Sequence, residues 1–162
     1  MPPFSSRAYV LPSCTLKRMK RSEAPDLAAG LVTMDPWRTL EYRADALAAY
    51  LSRPDATFRR FTVRVADRPA GLLALRYPWL RGVYLELLAL LPPYQGLGLG
   101  REILAFMARQ ARPHTKNLWV AVSDFNRRAR LFYQNQGFRE VARLENLIKE
   151  GMEELLLRKK LP

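Results

Sequence analysis

Between Val83 and Gln110 the chain passes from an apolar, strand-like run through a proline pair into Gln95-Gly96-Leu97-Gly98-Leu99-Gly100, and then into a helical repeat opening at Arg101. No other stretch restricts the fold so strongly. Three glycines at alternate positions remove Cβ atoms where backbone amides must turn inward and approach an anion. Ile103, Leu104, Met107, Ala108 and Ala111 recur at helical spacing. The loop therefore empties into an amphipathic helix whose first N–H groups are unpaired and whose dipole end is positive. The expected guest is a phosphate group. A Walker A loop would need Gly-Lys-Ser/Thr, but Gly100 is followed by Arg101 and Glu102; a dinucleotide fingerprint begun at Gly96 would need its last glycine at Arg101. A glycine turn that opens a helix without any ligand is the alternative that spacing alone leaves.

Composition narrows the class. A chain of 162 residues, 49% hydrophobic and 26% charged, fits one domain with a substantial core. No apolar run approaches the roughly 20 residues of a membrane span. Residues 1–13 lack the apolar core of a secretory signal, so the cytoplasm is the expected compartment. Cys14 and His114 are each the only residue of their type. That removes an internal disulfide and a cysteine-rich metal site, and no metal is expected; Cys14 reads as a packed or surface thiol and His114 as a loop residue. The formal net charge of +12 invites a polyanionic partner, but the 27 Lys and Arg divide into 14 in residues 1–81 and 13 in residues 82–162. Such an even spread argues against nucleic acid, although charge alone does not exclude it. An RNA-binding face would need arginines such as Arg59, Arg60 and Arg64 brought together.

In chain order, residues 1–13 are Pro/Ser-rich and read as a frayed or surface-lying extension before a single domain over 14–162. Thr15 to Met19 alternates as a first strand, and Ser22 is placed to cap a helix through Leu31. Ala44, Leu47, Ala48 and Leu51 mark a second helix ended by Arg53-Pro54. Arg60–Ala66 and Leu72–Tyr77, joined by Asp67-Arg68-Pro69-Ala70-Gly71, read as a hairpin, and Val83–Leu90 completes a meander into the glycine loop. Leu118–Val122 is a strand, Arg127–Gln136 a helix, and Glu140–Leu147 with Met152–Arg158 a closing pair. The order βααβββαβαββ describes an α/β domain of three layers around one sheet.

A second signal lies downstream. Asn126 is a good N-cap, Ala129, Phe132 and Tyr133 fall on neighbouring helical faces, and Gly137 suits a left-handed C-cap before Phe138. Together the two stretches resemble the general-control-type N-acetyltransferase (GNAT) superfamily. That family carries Gln/Arg-x-x-Gly-x-Gly/Ala after its fourth strand and Asn-x-x-Ala-x-x-x-Tyr-x-x-x-Gly-Phe after its fifth. The first matches at Gln95, Gly98 and Gly100, the second at Asn126, Ala129, Tyr133, Gly137 and Phe138. The resemblance spans about Leu16 to Lys159 and implies a GNAT fold, a mixed, largely antiparallel sheet flanked by helices.

It also implies acetyl-coenzyme A as co-substrate and gives residues their expected roles. Backbone amides of Gln95, Gly96, Leu97, Gly98, Leu99, Gly100 and Arg101 would hold the pyrophosphate, and the main chain of Leu88, Ala89 and Leu90 would pair with the pantetheine arm. Asn126 matches a cofactor contact. Tyr133 matches a hydroxyl near the sulfur, placed to protonate the leaving thiolate. Glu86, the only carboxylate of the central strand and at the parity of Leu88 and Leu90, is a candidate base or a strand glutamate paired with an arginine; Tyr84 and Asp124 are further polar candidates. The branch similar to ribosomal-protein N-terminal acetyltransferases has Glu five residues before the motif Asn, where this chain has Ala121. The expected acceptor is a small amine or a peptide N-terminus, and polyamines, amino acids and aminoglycosides stay open. Trp37, Tyr42, Tyr77 and Trp79 are candidates for its pocket or for the core. A homodimer is compatible with such a domain. A domain that binds acetyl-coenzyme A without turnover, as a regulatory or ribosome/RNA-associated module, is the alternative.

Overall fold

The computed structural model describes residues 1–162. Its strands are β1 (Ala8–Val10), β2 (Thr15–Arg18), β3 (Phe58–Val65), β4 (Arg68–Trp79), β5 (Gly82–Leu90), β6 (Asn117–Ser123), β7 (Arg139–Glu145) and β8 (Glu153–Lys160). The helices are α1 (Ala24–Leu31), α2 (Ala44–Ser52), α3 (Leu99–Ala111) and α4 (Arg127–Asn135). One sheet runs β1-β2-β3-β4-β5-β6-β8-β7, antiparallel throughout except where β5 meets β6. No helix is long and apolar enough to cross a membrane.

Both faces of the sheet are covered, which is why the centre of β4 reads Ala70-Gly71-Leu72-Leu73-Ala74-Leu75 without polar alternation and is buried throughout. Leu73 and Leu75 enter a cluster with Ile103, Leu104 and Met107 of α3 and Tyr133 of α4. Leu72 and Ala74 enter a second with Leu27 and Leu31 of α1 and Leu47 and Leu51 of α2. Full burial of each such leucine contributes about 1.5–3 kcal/mol. Gly71 is needed for close approach, because a Cβ there would stand 2.1 Å from the carbonyl oxygen of Ala89 in β5.

Three local expectations are corrected. The N-terminal extension is not frayed: β1 pairs with β2, Phe4 is wholly buried with its ring 6.0 Å from that of Phe106, and Arg18 donates to the Phe4 carbonyl at 2.8 Å. Four apolar side chains, Phe4, Tyr9, Val10 and Leu11, stand among the prolines and serines; three of them pack inward on the α3 side, while Val10 stays exposed. The β3–β4 hairpin closes on Ala66 and Asp67 alone, both at positive φ (48° and 60°), with Val65 facing Arg68. Two such residues give the turn whose twist matches the strands, so Pro69 and Gly71 belong to β4. Ser22 caps nothing; it lies in a short 3-10 turn over Arg21–Glu23, and the Glu23 carboxylate accepts from the Lys20 N–H at 2.7 Å.

The arginines of β3 are engaged within the fold. Arg60 donates to the carbonyls of Leu51 and Arg53, Arg64 pairs with Glu23 at 2.7 Å, and Arg59 donates to the Ala56 carbonyl.

Candidate active site

Strands β5 and β6 run side by side for only three residue pairs, Val83–Leu118, Tyr84–Trp119 and Leu85–Val120. Beyond them the strands part, and residues 86–90 of β5 have β4 on one edge and no strand on the other. Unpaired strand edges normally invite another chain or an extended ligand.

From the end of that open edge the chain enters the glycine loop. Gly96 and Gly98 have φ of 73° and 81°, the left-handed region that costs other L-residues about 1–2 kcal/mol. Gly98 is the N-cap of α3 and brings no side chain to cap it. Backbone N–H groups from Gly96 to Arg101 consequently have no acceptor in the chain, and Glu102 is the first to bond back, to the Gly98 carbonyl at 3.2 Å. Six free donors at a helix N-terminus form a cradle for anionic oxygens. Gln95 does a different job: its Nε2 donates to the Leu90 carbonyl at 2.9 Å and ties the loop to the strand end.

A cleft of about 440 Å³ opens over this cradle. Its walls include Leu88, Ala89, Leu90, Gln95, Gly96, Gly98, Leu99, Gly100, Arg101, Asn126 and Tyr133, together with Arg128 and Phe132. Leu97 is absent from these walls, and it is 62% exposed. The Asn126 Oδ1 accepts from the Ala129 N–H at 3.1 Å, so this residue caps α4 while it lines the cleft.

A second cavity, of about 670 Å³, lies between the sheet and the α1–α2 side. Tyr84, Glu86, Ala121, Ser123 and Glu154 form its floor; Trp37, Tyr42 and Tyr50 wall it; Leu147 and Ile148 of the β7–β8 connection reach over it. Lys149 in that connection reaches Glu41 at 3.2 Å and the Thr39 carbonyl at 3.3 Å, joining it to the segment after α1. Pro36, Trp37, Leu88, Asn126, Ala129 and Tyr133 line both cavities. Tyr133 is 7% exposed and its hydroxyl has no hydrogen-bond partner in the protein. Burial, and after it the nearby Tyr84, raise this phenol above its ordinary value, so it keeps its proton through the neutral range.

The acetyltransferase (GNAT) family model matches residues 18–138. The chain belongs to the GNAT acetyltransferase family. Solved structures agree on the fold. An acetyltransferase from Thermus thermophilus aligns at 23% identity over 94% of this chain and 100% of its own, with a TM-score of 0.74. A spermidine N-acetyltransferase chimera from Vibrio cholerae and hSSAT aligns at 19% over 91% and 95%, with 0.71. An IAA acetyltransferase from Bacillus cereus aligns at 17% over 92% and 100%, with 0.69. No curated protein matches the sequence.

In this GNAT chain the expected parity of Glu86 is corrected. Leu75 faces Leu85 and Ala74 faces Leu87, so Glu86 is an extra residue in β5, a bulge that turns the strand over. Leu88 and Leu90 pack on the α3–α4 side, whereas Glu86 lies on the α2 side, where its Oε1 accepts from Tyr50 Oη at 2.6 Å and Arg76 Nε at 3.0 Å. Arg76 also donates to Asp55 at 2.6 Å and to Tyr50 Oη at 2.8 Å; against the opposing effect of burial these bonds hold the guanidinium firmly charged. Glu86 is therefore paired with an arginine, and its Oε2 is buried without a donor.

The other candidates separate. Trp37, Tyr42 and Tyr84 line the second cavity; Tyr77 packs on the core, and Trp79 stacks on Tyr84 at 4.5 Å. Asp124 bridges Arg130 at 3.1 Å and Arg143 at 3.8 Å and lines neither cavity. Cys14 is buried, its thiol pushed up to about 11 by burial and then by Glu102, and His114 is exposed; both lie away from the site. Glu154 and Ser123 escaped the sequence reading because only the β6–β8 register, which sets them opposite one another, reveals them.

Proposed function

We propose that the chain transfers the acetyl group of acetyl-coenzyme A to the nitrogen of an amine by direct attack, with both substrates bound at once. The observation that carries this is the junction: Tyr133, its hydroxyl without a protein partner, stands where the cleft with six free amides meets the carboxylate-lined cavity. Acetyl-coenzyme A supplies the thioester whose carbonyl carbon the amine attacks. The Gly96–Arg101 amides bind its pyrophosphate, with Arg101 and Arg128 adding positive charge at the cleft wall. The open edge of Leu88 to Leu90 offers backbone groups to the pantetheine arm, and an N–H there is available to the developing oxyanion.

An ammonium must lose a proton before it can attack. Glu86 Oε2, buried beside the cavity and free of donors, accepts that proton, while Tyr50 and Arg76 fix its other oxygen. Tyr133 gives its proton to the departing sulfur. Direct attack accords with the positions of Cys14 and His114, neither of which lines the site.

The test is release of free thiol from acetyl-coenzyme A in an amine screen, wild type against Tyr133→Phe. Phe fits the same space, since the hydroxyl it removes holds nothing in the protein. The variant is expected to lose about 100-fold in kcat with unchanged acetyl-coenzyme A affinity. An unchanged kcat would assign the proton to water and strike Tyr133 from the mechanism.

A further inference from the structure

The cavity beyond the junction constrains which amine it takes. In a chain of net charge +12 its lining carries three carboxylates, Glu41, Glu86 and Glu154, and a single guanidinium, Arg43. Lys149 holds Glu41 at 3.2 Å, Asp45 holds Arg43 at 2.8 Å, and Arg76 holds one oxygen of Glu86 at 3.0 Å.

Glu154 has no cation at all. It is 3% exposed, and only the Ser123 hydroxyl donates to it, at 2.7 Å. A carboxylate buried this far is costly unless a positive group joins it. Glu86 repeats the pattern with its buried, donor-free Oε2. Both charges face the same aromatic walls: burial first, and then Glu154 and Glu86, raise the hydroxyls of Tyr42 and Tyr84. Trp37, Tyr42 and Tyr84 line the cavity with aromatic rings, a side-chain class that attracts ammonium groups. Arg43, the cavity's one cation, already holds Asp45, so the carboxylate of an amino acid finds no free partner.

Resting on the acetyl transfer argued above, we propose that the acceptor is a compact organic dication with two ammonium groups, Glu154 seating the one that is kept and Glu86 facing the one that is acetylated. Glu154 is a specificity residue here: it binds the acceptor and takes no part in the proton transfers. The dication enters a seat carrying the uncompensated Glu154 and the donor-free Oε2 of Glu86, and the monoacetylated product leaves with one positive charge fewer, so product is held less tightly than substrate.

The experiment titrates 1,4-diaminobutane and 1-aminobutane calorimetrically into the protein with coenzyme A present, for wild type and Glu154→Gln. Gln keeps an acceptor for the Ser123 hydroxyl, and thermal unfolding together with coenzyme A affinity reports that the variant is intact. In the wild type the diamine should bind at least about tenfold more tightly than the monoamine. In the variant that ratio should fall to within about threefold. Equal binding of the two amines by the wild type, an unchanged ratio in the variant, or no heat from either amine overturns the proposal. Thiol release then separates it from the reading beneath: diamine binding without thiol release strikes acetyl transfer and leaves the seat, whereas equal kcat/KM for the two amines strikes the seat and leaves the transfer.

Discussion

Replacing Arg76 with methionine tests whether the carboxylate beneath the larger cavity is held by charge or merely covered by packing. Arg76 spans Asp55, Tyr50 and Glu86 at 2.6, 2.8 and 3.0 Å, and its side chain is 21% exposed beside a Glu86 side chain at 18%. Removing one partner of a buried ion pair costs about 3–5 kcal/mol because the other charge is left alone. Both side chains keep some solvent, which places Arg76→Met near about 3 kcal/mol. The guanidinium also lies 4.4 Å from the Phe58 ring centroid, a contact worth about 0.5–1 kcal/mol. In Arg76→Met/Glu86→Gln the buried carboxylate is gone and only the more exposed Asp55 loses its partner, so the loss should shrink to about 1 kcal/mol; with Glu86→Gln alone costing little, because Arg76 keeps Asp55 and Tyr50, the coupling between the sites is about 2 kcal/mol. Urea unfolding at pH 7, with the slope checked for constancy across all four proteins, measures it. A coupling below about 0.5 kcal/mol would refute the reasoning and assign the role of Arg76 to its packing on Phe58.

Three further outcomes are expected. Gly98→Ala should lower stability by about 1–2 kcal/mol through its positive φ, a fall of several degrees in Tm, because a Cβ there meets no protein atom. Gly98→Glu should show similar stability but lose acetyl-coenzyme A binding by at least about 100-fold in a calorimetric titration, since it sets a carboxylate among the free amides; retained binding would move the phosphate site elsewhere. Burial raises the Glu154 carboxyl above its ordinary value near 4.5, so the folded chain keeps that proton longer than the unfolded chain does. Stability from this group is complete below pH 4.5 and is lost as pH rises through the raised value. Glu154→Gln should therefore match the wild type near pH 4 and exceed it in stability at pH 7; an equal gap between their denaturation curves at both pH values would sink this account.

The glycine loop and the α4 cap were legible in the sequence because their signals are local. The spacing of Gly96, Gly98 and Gly100 and the Asn126 cap act within a few residues of themselves, and the structure builds both as the spacing requires. What stayed hidden depends on partners distant in sequence. The bulge at Glu86 exists only in the ladder between β4 and β5, and counting parity along an isolated strand cannot find it. Glu154 sits beside Glu153 in a run that ends in three leucines, and its burial follows from lying opposite Ser123, 31 positions away. Phe4 and Tyr9 looked like residues of a polar tail, because the α3 side chains that cover them are about 100 positions downstream.

The extra residue in β5 also bears on how such a site can change. Glu86 stands outside the pairing ladder, so the strand's hydrogen bonds to β4 do not depend on what occupies that position. A substitution there alters the chemistry lining the larger cavity while Leu88, Ala89 and Leu90 keep their register. The lining of the larger cavity can thus drift by exchange at one looped-out position and its partners on α2 and β4, with the glycine loop and α3 left intact.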